Sequence, residues 1–133
     1  MALVVLDASV VIAFLDPDDV LHDAAVAALT EHQHNELLIP LSVYAEVLVA
    51  PYRRGADAVA EVEAFLGDFS VRVETINLGT ARAAAKLRSR VRSLRLPDAL
   101  VLATADDLGA HAVLTGDESW ARLSGRVTVI RRG

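Results

Sequence analysis

Four carboxylates interrupt apolar runs: Asp7 in VVLDASVVIAFL, Glu46 in SVYAEVLV, Asp98 in LPDALVLATA and Asp117 in VLTGDESW. A charge set among core-forming residues is costly unless it is paired or bound to a cation. None of the four stretches holds a Lys or Arg, so the set points to a metal pocket. Carboxylate oxygens are hard donors that suit Mg²⁺ or Mn²⁺, and one ion or two both satisfy such a set. A cation held this way polarises a phosphoryl oxygen and lowers the pKa of a bound water. The reaction that fits is hydrolysis of a phosphodiester. Each acid also has a plainer role open to it. Asp98 suits a helix first turn, Asp117 suits a turn or cap, and Glu46 suits a solvated helix face. Asp7 has the weakest alternative, because it directly follows a buried apolar run.

The elements that must position these acids are legible as alternating short strands and helices. Leu3–Leu6 reads as a buried strand. Asp16-Pro17-Asp18-Asp19 reads as a helix start, with a cap, an early Pro and acids in the first turn. That helix is expected to reach about His32, with Leu21, Ala25, Ala28 and Leu29 inward. Leu37–Ile39 is a second strand, and Pro40 and Ser42 introduce a helix to about Tyr52. Residues 56–66 form another helix, with Val59, Val62 and Leu66 as its stripe and Gly67 as its stop. Val71–Val73 is a strand. Asn77 caps a helix whose inner face is Leu78, Ala81, Ala85, Leu87, Val91 and Leu94. Pro97 opens a helix through Leu108 that Gly109 ends, and Ala112–Leu114 and Val127–Ile130 are the last strands. The pattern predicts a mostly parallel sheet with helices on both faces. With no long linker, repeat or low-complexity tract, residues 1–133 are expected to form a single domain. Ligands of open parallel sheets bind at the carboxyl ends of strands, where Asp7 and Asp117 fall.

The order of these motifs along the whole chain resembles the PIN-domain ribonuclease toxins of the VapC family, from type II toxin–antitoxin pairs. The residues that carry the resemblance are Asp7-Ala8-Ser9 after the first strand, Glu46 in LSVYAEVL and Asp98 in LPDALVLATA. The fourth element is Thr115-Gly116-Asp117-Glu118-Ser119-Trp120, where Trp120 stands for the usual Phe. The resemblance implies a PIN-like three-layer α/β fold and endonucleolytic cleavage of RNA dependent on Mg²⁺ or Mn²⁺. It also implies homodimerisation and inhibition by a small cognate VapB-like antitoxin. Asp7, Glu46, Asp98 and Asp117 would then be both metal ligands and catalytic residues, with Asp7 and Asp98 nearest the ion. The pattern favours Asp117 over its neighbour Glu118. Ser9 and Thr115 are expected to support the carboxylates by hydrogen bonding, although capping and turn formation would also account for them.

Charge distribution bears on the substrate. The net charge is −5, yet residues 1–52 hold eight acids and no Lys or Arg, while residues 75–97 hold six bases and no acid. Such asymmetry guides a polyanion to a local patch despite an acidic total. Arg82, Lys86, Arg88, Arg92 and Arg95 are expected on the outer side of one helix. They form either a solvated face or a phosphate track toward the acids, with Arg53 and Arg54 as possible additions. The three Phe, two Tyr and one Trp are too few for broad base stacking.

Other chemistries fall away. The chain has no Cys, hence no disulfide, thiolate zinc site or thiol nucleophile. His32 and His34 do not share a helix face, and His22 and His111 are isolated. No phosphate-binding glycine loop and no Gly-x-Ser-x-Gly occur. A phosphatase-like module lacks support, because Asp7 is followed by Ala-Ser and the one Lys, Lys86, lies on a helix. A non-catalytic metal-binding module would be expected to lack some of the acids. Asp7 breaks the first apolar run and no basic region precedes it, so no signal peptide or membrane span is expected, and the protein reads as cytoplasmic. A mean hydropathy of +0.38 and the apolar stretches 36–52 and 56–69 suggest that part of the surface meets a partner.

Overall fold

The computed structural model describes residues 1–133. Five strands, β1 (Leu3–Leu6), β2 (Glu36–Pro40), β3 (Arg72–Glu74), β4 (Ala112–Thr115) and β5 (Val127–Val129), form one sheet in the order β3-β2-β1-β4-β5. Every pairing is parallel. The strands are short and apolar because both faces are covered. In β1, Val4, Val5 and Leu6 are wholly buried, and all four residues of β4 are buried.

Six α-helices connect the strands: α1 (Ala8–Leu15), α2 (His22–Glu31), α3 (Leu41–Arg54), α4 (Ala56–Asp68), α5 (Leu78–Arg90) and α6 (Leu96–Asp107). The chain steps outward from β1 to β2 to β3, then crosses back to β4 on the other side of β1. Helices α1 to α4 pack in succession, α1 on α2 and α3 and α3 on α4, while α5 packs on α6. Phe14 of α1 accordingly packs on Phe65 and Phe69 beside α4, with ring centroids 5.2 and 5.3 Å away. Helix α6 lies against β1, β2 and β4. One apolar core results, with Trp120 its largest fully buried side chain. No helix is long and apolar enough to cross a membrane.

Several local expectations need correction. Residues 8–15 are helical, and the helix expected from Pro17 starts only at His22, with 17–21 in turns. The acids of Asp16-Pro17-Asp18-Asp19 cap turns instead: Asp16 Oδ1 accepts from Asp18 N and Asp19 Oδ1 from Leu21 N. Gly67 does not stop α4. The helix runs to Asp68, and Ser70, at φ 52°, reverses the chain as Val71 N donates to Leu66 O. Phe65 of this segment is buried in the core, and Phe69 packs half-buried against it. In α5 the inward positions are Thr80, Ala84 and Leu87, whereas Leu78, Ala81 and Ala85 are exposed. Helix α5 also ends at Arg90, so Arg92 and Arg95 are not part of it. The stop of α6 does match the sequence, with Gly109 at φ 62° just past Leu108.

Candidate metal centre and active site

The strand order reverses at β1, whose neighbours β2 and β4 are reached by crossovers in opposite directions. Loops leaving the carboxyl ends of β1 and β4 therefore splay apart and leave a crevice. Asp7 follows β1, and Asp117 lies two residues past the end of β4. A cleft of about 220 Å³ opens there, walled by Asp7, Ser9, Glu46, Asp98, Asp117 and Arg95, with Ile12 and Trp120 as apolar wall. Acids drawn from four separate stretches of the sequence thus share one cavity.

Asp7 is 6% exposed and caps α1. Its Oδ1 accepts from Ala8 N at 2.8 Å. Its Oδ2 accepts from Ser9 Oγ at 2.7 Å and Thr115 Oγ1 at 2.8 Å. A carboxylate oxygen offers about two acceptor sites, so Oδ2 is filled and Oδ1 keeps one free. The two hydroxyls are held in turn, because Ser9 Oγ accepts from Gly116 N and Thr115 Oγ1 from Asp117 N. Gly116 packs closely here: a Cβ would stand 2.7 Å from Leu21 Cδ1 and displace that methyl.

Asp98 is 9% exposed in the first turn of α6. Arg95, the residue that caps that helix, lays its fork along it, with Nε to Oδ2 and Nη2 to Oδ1 both at 3.4 Å. Glu46 sits half-buried on α3. Asp117 is exposed and caps the short 3₁₀ turn Glu118–Arg122, with Oδ1 accepting from Ser119 N and Ser119 Oγ. Glu118 turns away to pair with Arg131, and it does not line the cleft. The capping role open to Asp117 is therefore real and coexists with its place in the cleft wall.

Electrostatics follow from this crowding. Burial, opposed by the Ser9 and Thr115 bonds and reinforced by the Asp98 charge, pushes the Asp7 pKa above its ordinary value. Burial and the charges of Asp7 and Asp98 push Glu46 up. Burial raises Asp98 despite the bond and charge of Arg95, and Asp117 adds to the rise. These acids are short of positive charge. Their oxygens suit a hard divalent cation, although no three side chains converge closely enough to form a cage by themselves.

Of the expected phosphate track, only Arg95 reaches the cleft. Arg82, Lys86 and Arg88 are exposed on α5, and Arg92 is exposed in the turn that follows. The sequence placed Arg95 among helix-face bases. Its helix-capping position beside Asp98 was hidden, because Leu87, Val91 and Leu94 continue the apolar spacing past the real end of α5. Ile12 and Gly116 were not singled out. A glycine flanked by Thr115 and Asp117 was the available signal for a close approach.

Comparison with known proteins bears on the fold and the family. No curated protein sequence matches significantly. A Mycobacterium tuberculosis toxin, VapC20, described as cleaving the sarcin–ricin loop, superposes with a TM-score of 0.78 at 20% identity, covering 98% of this chain and 99% of that one. A toxin–antitoxin complex from Klebsiella pneumoniae gives 0.77 at 22% identity over 98% and 99%. VapBC2 from Rickettsia felis, solved on a promoter DNA fragment, gives 0.79 at 13% identity over 97% and 99%. At these identities the likeness speaks for the fold. The family is fixed by the sequence itself: the PIN domain model matches residues 4–126, a span that includes all four acids, and the chain belongs to the PIN domain family.

Proposed function

We propose that this protein is a divalent-metal-dependent endoribonuclease that acts as the toxin of a type II toxin–antitoxin pair. The observation that carries this reading is the single cleft at the β1–β4 switch point, walled by Asp7, Glu46, Asp98 and Asp117 on a PIN fold. The two most buried acids, Asp7 and Asp98, would hold Mg²⁺ or Mn²⁺ most closely. Glu46 and Asp117 would complete the site from its rim, directly or through water. Such a cation, when bound, polarises the phosphodiester and makes a water a better nucleophile at neutral pH.

The chain's own groups supply the rest. Ser9 and Thr115 occupy Asp7 Oδ2, which fixes the direction of the free site on Oδ1. Glu46, half-exposed at the cleft wall, would accept a hydrogen bond from a water in the site. Arg82, Lys86, Arg88 and Arg92 would attract the RNA backbone toward the cleft.

The partner reading rests on exposed apolar side chains. Ile12 of α1 and Leu41, Val49 and Tyr52 of α3 are all exposed. Between these two helices lies a cavity of about 120 Å³ lined in part by Leu15, Val47, Ala50 and Pro51. A cognate VapB-like antitoxin would cover such a surface, in keeping with the relatives solved as toxin–antitoxin complexes. Remaining apolar surface would serve a homodimer. A protein with this substrate would work in the cytoplasm.

The test is cleavage of a panel of transfer, ribosomal and messenger RNAs by the purified chain. Discrete internal cuts that appear with Mg²⁺ or Mn²⁺ and vanish with chelator are expected. Intact RNA across the panel at high enzyme and metal would reject the reading.

A further inference from the structure

The Arg95–Asp98 pair has an arrangement that a stabilising surface pair does not need. Both nitrogens of the fork stand off at 3.4 Å, beyond close charge-assisted range. The Arg95 side chain is 72% exposed while that of Asp98 is only 12% exposed. Arg95 borders the cleft that also contains Glu46 and Asp7, and it is the one basic residue there. A loose, solvent-swept contact of this kind contributes little to stability, so its guanidinium can leave at small cost. Both Asp98 oxygens face that guanidinium, and those oxygens are the ones a divalent ion would need.

We propose that Arg95 is a resident counter-ion of the acidic cleft, which a divalent cation displaces from Asp98 and which then holds the RNA phosphate at the mouth of the site. The inference rests on the metal-nuclease reading above and deepens it. Arg95 thereby weakens metal binding and strengthens substrate binding. Its planar fork matches a phosphate bidentately, which an ammonium cannot do.

The two roles separate experimentally. Mn²⁺ binding to the full chain is measured by calorimetry for wild type, Arg95→Gln, Arg95→Lys and Asp98→Asn, and KM and kcat are measured on an RNA that wild type cleaves. Arg95→Gln is expected to bind Mn²⁺ about two- to fivefold tighter, the scale of one exposed ion pair, while KM for RNA rises. Arg95→Lys keeps the charge and is expected to bind Mn²⁺ within about twofold of wild type, with KM still raised because the fork is gone. A residue with only a structural role would move both affinities in the same direction. Unchanged or weaker Mn²⁺ binding in Arg95→Gln, alongside a clear loss in Asp98→Asn, would overturn the counter-ion role and leave the metal centre standing. Mn²⁺ binding indifferent to Asp98→Asn would instead overturn the metal centre itself.

Discussion

Removing the Asp7 carboxylate has two separable consequences, because its two oxygens face different groups. Asn can still cap α1 through Oδ1, so Asp7→Asn should abolish cleavage while the far-ultraviolet circular dichroism and melting temperature stay close to wild type. Asp7→Ala also strands Ala8 N, Ser9 Oγ and Thr115 Oγ1 and should cost about 1–2 kcal/mol of stability in a denaturant titration. Protonation gives a second test. The folded pKa values of Asp7, Glu46 and Asp98 lie above their unfolded values, so the native state binds more protons between the two. Their stabilising contribution is then complete below the unfolded values of about 4 and is lost as pH rises through the folded ones. Metal-free protein should therefore melt at lower temperature as pH climbs through that window, and Mg²⁺ should restore the loss. Melting curves across pH with and without Mg²⁺ check this, and a profile that rises through the window would contradict it. The acids themselves were legible in the sequence because a charge in an apolar run stands out. Arg95 was misplaced because nothing in VRSLRLPD marks where α5 stops before Pro97.

At the scale of elements, the alternation of strands and helices was readable because parallel strands are short apolar runs bounded by turn residues. Helix α1 was not, since ASVVIAFL is apolar on every side and offers no helical period. Packing from α2, α3 and β4 buries most of it, while the apolar Ile12 stays exposed on the remaining side. Helix α5 was read with its face rotated because Ala fills both sides of LGTARAAAKLRSR and a polar residue, Thr80, takes a buried position. Thr80 is tolerated there because its N and Oγ1 both bond to Asn77 Oδ1. The end of α4 shows the limit of reading a glycine as a stop. Ser70, not Gly67, adopts the left-handed conformation, at a steric penalty that glycine avoids. Relief of a left-handed cost of about 1–2 kcal/mol, less glycine's entropic cost of about 0.5–1 kcal/mol, should make Ser70→Gly modestly stabilising with cleavage unchanged, as read by paired denaturant and activity measurements. A destabilised Ser70→Gly protein would show that the serine makes up for its conformation in another way.

For the whole molecule, charge asymmetry rather than net charge governs encounter with a polyanion. The fold keeps Arg82, Lys86 and Arg88 exposed on α5, while Asp7 and Asp98 are nearly closed off from solvent. RNA affinity should fall steeply with salt, with a logarithmic slope of about −0.7 for each phosphate neutralised on a single strand. Replacing Arg82, Lys86 and Arg88 together by Gln should flatten that slope by about 2 while kcat stays near wild type. An unchanged slope would make α5 a solvated face and nothing more. The overall architecture was legible because motif order and sheet topology constrain each other: the reversal at β1 brings residues 7 and 117 to one crevice. What was not legible is how far each acid reaches into it, since that depends on rotamers and on Arg95.

The most direct test follows one RNA substrate under single-turnover conditions with wild-type protein and with Asp98→Asn, across a Mn²⁺ titration. The account predicts wild-type cleavage that saturates with Mn²⁺ and vanishes in chelator, and a loss of roughly a thousandfold or more in the variant at every Mn²⁺ concentration, by analogy with losing one strongly stabilising charge contact at a reaction centre. Wild-type rates that persist in chelator, or a folded Asp98→Asn protein that cuts as fast as wild type, would contradict it.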